Sequence, residues 1–185
     1  MRIIGGSKRG TALASVGKGD TAAHLRPTSD RVRESLFNLL THGDYPPISG
    51  TRVLDLFAGT GALGFEALSR GAERALFVDD GAKSRALLRE NTDKLGMIGQ
   101  SKIYRRDATR MGENRRDPYD LIFLDPPYGK GLGEKALASC INGGWLAKNA
   151  LVIWEENNAV SAPSGFTLKD QRKYGETTIT LLQRS

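Results

Sequence analysis

Asp55-Leu56-Phe57-Ala58-Gly59-Thr60-Gly61-Ala62-Leu63-Gly64 is the stretch whose reading decides the fold of this chain. Residues 53–57 form a short apolar run that reads as a strand, and residues 63–70 read as a helix stopped by Gly71. The glycines between them let the backbone adopt turns closed to larger residues and come close to a ligand. Alone, that pattern also fits a plain tight turn with close helix packing. Asp55 discriminates further, because a carboxylate inside an apolar strand is costly without a partner.

Working outward, the alternation continues. A strand is predicted at 75–78, a helix at 82–95 stopped by Gly96, and a weaker strand at 102–105. Strands follow at 121–124 and 151–154, with a helix at 134–141 between them. Near-continuous apolar strands separated by helices indicate a doubly wound, mostly parallel sheet covered on both faces. Residues 166–174 and 176–183 are extended runs joined at Gly175, which predicts a C-terminal antiparallel hairpin. Residues 1–27 are short apolar pieces broken by glycine and read as a small N-terminal β-hairpin arm, with residues 28–185 as the main domain. Thr28 or Ser29 caps the next helix, and Val32, Leu36, Leu39 and Leu40 form its expected apolar stripe, with Arg31, Arg33 and Glu34 mostly off it.

The chain has 185 residues, the size of one domain. No apolar stretch approaches the roughly 20 residues that span a bilayer, and the N-terminus lacks a signal-like apolar core. The single Cys140 excludes an internal disulfide, and two histidines and one cysteine are too few for a convincing zinc site. A cytoplasmic, metal-free monomer is expected. The net charge is +6, and residues 1–33 hold seven basic side chains against two acids. Clustered positive charge is the footprint of a phosphate-binding surface, with Arg9, Arg26, Arg31 and Arg33 as the candidate contacts.

Acids stand at successive strand ends. Asp79 ends the second strand, where a carboxylate can accept both hydroxyls of a ribose, although Asp80 is adjacent. Asp107-Ala108 follows the third, where a carboxylate can accept from an adenine amine. With Asp55, the set points to a ligand with an amino acid tail, a ribose and an adenine. Here the chain resembles the class I S-adenosylmethionine-dependent methyltransferases, whose fold is Rossmann-like. The resemblance implies S-adenosylmethionine as cofactor, held by Asp55, Phe57, Gly59 and Gly61 of the first motif, by Asp79, and by Asp107 and Ala108. A dinucleotide oxidoreductase is the competing reading of the loop. It leaves Asp125-Pro126-Pro127-Tyr128 unexplained.

That tetrapeptide follows the apolar run 121–124. An exocyclic amine on a base is a poor nucleophile, because its lone pair is delocalised into the ring. The Asp125 carboxylate and the Pro126 carbonyl can accept its N–H bonds and favour a pyramidal nitrogen, while Tyr128 offers a ring for stacking. The motif resembles the signature of enzymes that methylate amino groups on adenine, cytosine and guanine.

Residues 1–6, Arg9-Gly10 and the run from Arg26-Pro27-Thr28 to Asn38 look like the family that methylates guanine N2 in bacterial 16S ribosomal RNA. That match covers nearly the whole chain and implies the small ribosomal subunit, or an intermediate in its assembly, as substrate. Two other readings stand beside it: a DNA adenine-N6 methyltransferase, for which the chain lacks an evident DNA-recognition domain, and a noncatalytic RNA-binding assembly protein on the same fold.

Overall fold

The computed structural model describes residues 1–16 and 28–185. A seven-stranded mixed sheet organises it. In chain order the elements are α1 (Asp30–His42), β1 (Arg52–Leu56), α2 (Ala62–Ser69), β2 (Arg74–Val78), α3 (Ala82–Leu95), β3 (Ser101–Tyr104), β4 (Tyr119–Leu124), α4 (Leu132–Asn142), β5 (Leu146–Glu156), β6 (Phe166–Tyr174) and β7 (Thr177–Arg184). The strand order is β3-β2-β1-β4-β5-β7-β6. The first five strands are parallel, and β7 runs antiparallel between β5 and β6. This is the expected Rossmann-like α/β sheet with a C-terminal antiparallel hairpin. Among the described residues, no helix is long and apolar enough to cross a membrane.

Strands β1, β2 and β4 are buried on both faces, so their sequences read as apolar runs rather than alternating ones. One face packs Phe65, Phe77, Phe123 and Leu88 with residues of α1 and α2; the other packs Leu54, Ile122, Met111, Cys140 and Trp154. Burying each large apolar side chain contributes about 1.5–3 kcal/mol. β5 begins earlier than the apolar run at 151–154 suggests. Asn149 has φ 64°, and the β4–β5 register shifts between Tyr119 and Leu121. That irregularity breaks the apolar pattern and hides the first half of the strand from a periodicity reading.

The helix α1 starts as expected: Ser29 Oγ accepts from the Val32 amide at 3.2 Å. Its buried face differs from the expected stripe. Arg33, Leu36, Phe37 and Leu40 are buried, whereas Val32 and Leu39 are only partly covered. The stripe is rotated by one position because Arg33 finds partners inside the fold.

The N-terminal segment has the hairpin path with a single bridge, Arg2 to Ala12, around a 3-10 turn at Gly6–Lys8. It lies against the helices. Ile3 and Leu13 are part of the core, and the Ile4 and Gly5 amides donate to the Glu66 carboxylate of α2 at 3.0–3.2 Å. Asn91 of α3 accepts from the Ala14 amide at 2.6 Å. Its Nδ2 donates to the carbonyl oxygens of Ala14 and Thr60, linking this segment to the glycine loop.

Candidate active site

The glycine loop and the double-proline turn leave the same edge of the sheet from neighbouring strands. Leu56 and Leu124, the last residues of β1 and β4, are register partners. Phe57 and Asp125 are the next residue on each strand, so the two turns start about 5 Å apart, the spacing of paired strands. The sheet order also reverses at this point, since β2 and β3 lie beyond β1 while β5 lies beyond β4. Ligands of open α/β sheets bind in the crevice at such a switch point, beyond the carboxyl ends of the strands.

The loop itself is shaped by backbone conformations that favour glycine. Gly59 and Gly61 have φ of 59° and 79°, and Phe57 is one of two non-glycine residues with positive φ among the described residues. A Cβ on Gly61 would stand 2.5 Å from the Phe65 ring and 2.7 Å from Leu88. Asp55 is buried beneath the loop, and its Oδ2 accepts from the Gly64 amide at 3.0 Å. Gly61, the N-cap of α2, has no side chain to cap with. Asp55 therefore satisfies a first-turn amide from the strand below. Burial raises its pKa well above the ordinary carboxylate value, the Gly64 hydrogen bond opposes the rise and the Asp79 charge adds to it.

Asp79 follows β2. Its Oδ2 accepts from the Gly59 amide at 3.0 Å and its Oδ1 from the Gly81 amide at 2.9 Å. A carboxylate has about four acceptor positions, so two amides leave room for two more donors. Asp80, beside it, is exposed. Asp107 is exposed after β3; its Oδ1 accepts from the Thr109 amide at 2.8 Å and hydroxyl at 2.7 Å. Those two hydrogen bonds hold its pKa below the ordinary value. Both fall on Oδ1, which leaves Oδ2 for a ligand donor. Ala108 is buried. This set of acceptors fits a ligand with ribose hydroxyls and an amine.

The double-proline turn ends in Tyr128, whose hydroxyl donates to Glu155 Oε1 at 2.8 Å and lies 3.3 Å from Thr177 Oγ1. Burial and the Glu155 charge raise the tyrosine pKa, so it stays neutral and keeps its proton to donate. Asp125 is half-buried and Pro126 buried. The Gly129 amide donates to Glu156 Oε1 at 3.0 Å, fixing the far side of the turn to β5.

The family profile described as Conserved hypothetical protein 95 matches residues 1–183. The chain is 37% identical to ribosomal RNA small subunit methyltransferase D of Escherichia coli strain K12, covering 100% of this chain and 90% of that protein. It is 36% identical to YlbH of Bacillus subtilis, a candidate rRNA methyltransferase, covering 100% of this chain and 99% of that one. The solved structure of yhhF from Escherichia coli, described as a candidate methyltransferase, superposes with a TM-score of 0.83 at 35% identity. It covers 100% of this chain and 98% of that chain. The chain belongs to this family of RsmD-like methyltransferases.

Within the RsmD-like framework, the basic residues part company. Arg9 and Arg31 are exposed, and Arg26 lies outside the described residues. Arg33, expected at RNA phosphates, is instead fully buried. Its guanidinium pairs with Asp30, lies 3.8 Å from Glu66, and donates to the carbonyl oxygens of Thr28 and Arg2. Burial lowers its pKa while both acids oppose the fall. A side chain so enclosed has no face to offer a phosphate. Its work is to tie α1, α2 and the N-terminal segment together.

Three residues of this framework carry no signature in a linear reading: Glu66, Asn91 and Glu155. Each left a faint trace. Glu66 interrupts the otherwise apolar Ala62–Ser69, Asn91 sits on the buried stripe of α3, and Glu155 follows the apolar core of β5. Buried polar side chains of this kind have partners, and all three make hydrogen bonds far along the chain.

Proposed function

We propose that this chain methylates the exocyclic N2 amine of a guanine in small-subunit ribosomal RNA, with S-adenosylmethionine as methyl donor. The register of Leu56 with Leu124 is the observation that carries the reading, because it starts a ligand-binding loop and an amine-binding turn side by side. The names of the relatives support ribosomal RNA as the substrate.

The cofactor supplies an electrophilic methyl carbon on a sulfonium. Asp79 would accept from the ribose hydroxyls and Asp107 from the adenine amine, with the glycine loop at residues 57–61 beside them. The Asp125 carboxylate and the Pro126 carbonyl each accept an N–H of the guanine amine, and Tyr128 supports the base by stacking. These contacts hold the nitrogen lone pair toward the methyl carbon. With the cofactor bound, methyl transfer to the nitrogen would leave the C–S electron pair on sulfur, and the nitrogen's proton would pass to solvent. Positioning and electrostatics supply most of the rate, since the methyl group is already activated. The guanine must leave its stack to reach the turn, which favours a loop nucleotide.

The test is a transfer assay on unmodified small subunits, naked ribosomal RNA and DNA, followed by nucleoside analysis of the product. N2-methylguanine in RNA is expected, and it should vanish with Asp125→Ala. Methylated adenine in DNA, or transfer that survives Asp125→Ala, would overturn the reading.

A further inference from the structure

We propose that the groove between α4 and the segment joining β3 to β4 is a second RNA contact surface, gripping phosphates through Arg110 and Lys135. It rests on the ribosomal RNA reading above and adds a surface to it. The groove has a volume of about 640 Å³ and is lined by Thr109, Arg110, Glu113, Lys135, Ser139 and Asn142, among others. Lys135, Ser139 and Asn142 recur at helical spacing, so one face of α4 forms one wall.

The other wall is built rather than loose. The Met111 amide donates to Ser139 Oγ at 2.7 Å, and the Asn114 amide to the Gly143 carbonyl at 2.8 Å. Trp145 Nε1 donates to the Gly112 carbonyl at 2.8 Å, and Arg106 Nη1 to the Met111 carbonyl at 2.6 Å. Met111 itself is fully buried. Cations on such a wall lose side-chain but little backbone entropy when they meet a phosphate, because the backbone carrying them is already fixed.

Arg110 and Lys135 of the lining stand beside a segment rich in further cations. Residues 102–116 hold Lys102, Arg105, Arg106, Arg110, Arg115 and Arg116 against Asp107 and Glu113. Arg105, Arg110, Arg115, Arg116 and Lys135 are exposed, and none makes an ion pair among the described residues. In a linear charge count this stretch disappears, because acids elsewhere in the chain cancel it. The groove begins beside Asp107, at the carboxyl edge of the sheet, and follows α4 away from it.

Its chemistry fits a polyanion with room for hydrogen bonding: two cations, hydroxyls and an amide in a concave surface, against the single carboxylate of Glu113. A membrane surface asks for exposed apolar side chains beside the cations. The large exposed hydrophobic residues of the described chain, Ile98 and Leu168, lie outside this lining.

The experiment measures binding of the full chain to labelled small-subunit RNA across roughly 50 to 200 mM salt, where such contacts are most sensitive. Arg110→Gln/Lys135→Gln should reduce the slope of log affinity against log salt by about 1.4, or roughly 0.7 per lost phosphate contact on single strands. Cofactor affinity and the thermal midpoint should not change. An unchanged slope in the double variant, when the wild-type chain does methylate RNA, overturns the groove and leaves the transfer reading standing. A wild-type chain that neither binds nor methylates RNA overturns both. Binding to anionic vesicles that the double variant loses, with RNA binding intact, also overturns the groove. Arg115→Gln/Arg116→Gln provides a second pair on the same segment, with a smaller slope change expected since these residues do not line the groove.

Discussion

The hydroxyl of Tyr128 donates to Oε1 of Glu155 at 2.8 Å, while the other oxygen of that carboxylate accepts from Thr28 Oγ1 at 2.8 Å. One buried acid at the end of β5 thus joins the double-proline turn to the start of α1. Thr177, at the head of β7, lies on the same tyrosine hydroxyl. A tyrosine ring anchored through its hydroxyl has one orientation instead of several, which suits a stacking platform.

Glu155→Ala leaves the Tyr128 and Thr28 hydroxyls without that acceptor. Hydrogen bonds to a charged group are each worth about 1.5–3 kcal/mol, so a loss of roughly 3 kcal/mol is expected. Glu155→Gln keeps an acceptor for Tyr128 and should cost much less. Urea unfolding of the three proteins decides it; equal stability of Glu155→Ala and wild type would show that the network contributes nothing.

Asp79→Ala should strike cofactor binding rather than the methyl-transfer step. It removes the proposed acceptor for ribose hydroxyls and leaves the Gly59 and Gly81 amides without their partner. Losing hydrogen bonds of this class weakens binding by about 10- to 100-fold. Calorimetric titration with the cofactor measures this directly, and turnover at saturating cofactor should remain near wild type. A turnover collapse at unchanged affinity would contradict the assignment.

Glu66→Ala exposes the cost of burying Arg33. The fully buried Glu66 carboxylate faces Arg33 at 3.8 Å, pairs with Arg70 at 3.0 Å and accepts the Ile4 and Gly5 amides. Removing one partner of a buried charge pair costs about 3–5 kcal/mol. Arg33→Met/Glu66→Met should be less damaging than the two single changes added together, because each single change strands a charge. Denaturant unfolding of the four proteins tests this, and additive losses would argue against coupling.

Asp55→Asn bears on pH. Burial raises the Asp55 pKa from 3.8 in the folded chain. Between 3.8 and that raised value the folded state holds a proton that the unfolded chain releases. Wild-type stability therefore loses this contribution as pH rises through the interval. The asparagine can still accept from the Gly64 amide and does not titrate. Its stability relative to wild type should increase as pH climbs above 3.8, read from unfolding at a series of pH values; parallel curves for the two proteins would refute it.

Much of this fold is legible in a linear reading. The residues of α3 match the expectation from 82 to 95, and every strand predicted from residue 53 onward is present, whereas the N-terminal arm forms one bridge and no strand among the described residues. Apolar runs bounded by glycine survive as signals because buried parallel strands need them whatever lies alongside. The stripe of α1 misleads because it treats an arginine as a surface residue. That rule fails at Arg33, where Asp30, Glu66 and two carbonyl oxygens surround the guanidinium. The early half of β5 is missed because Asn149 turns left-handed within the strand.

Sequence by itself determined the order of strands and helices along the chain, the two turns proposed to carry the chemistry, and the acids at the strand ends. These follow from local periodicity and from the backbone freedom of glycine, which act over a few neighbouring residues. Only the tertiary structure decided which charges face water: Arg33 and Glu66 went inside, Glu155 became an anchor for Tyr128, and Arg110 and Lys135 came together along one groove. A charged group is stable in the interior only beside specific partners, and folding brings those partners from distant parts of the chain.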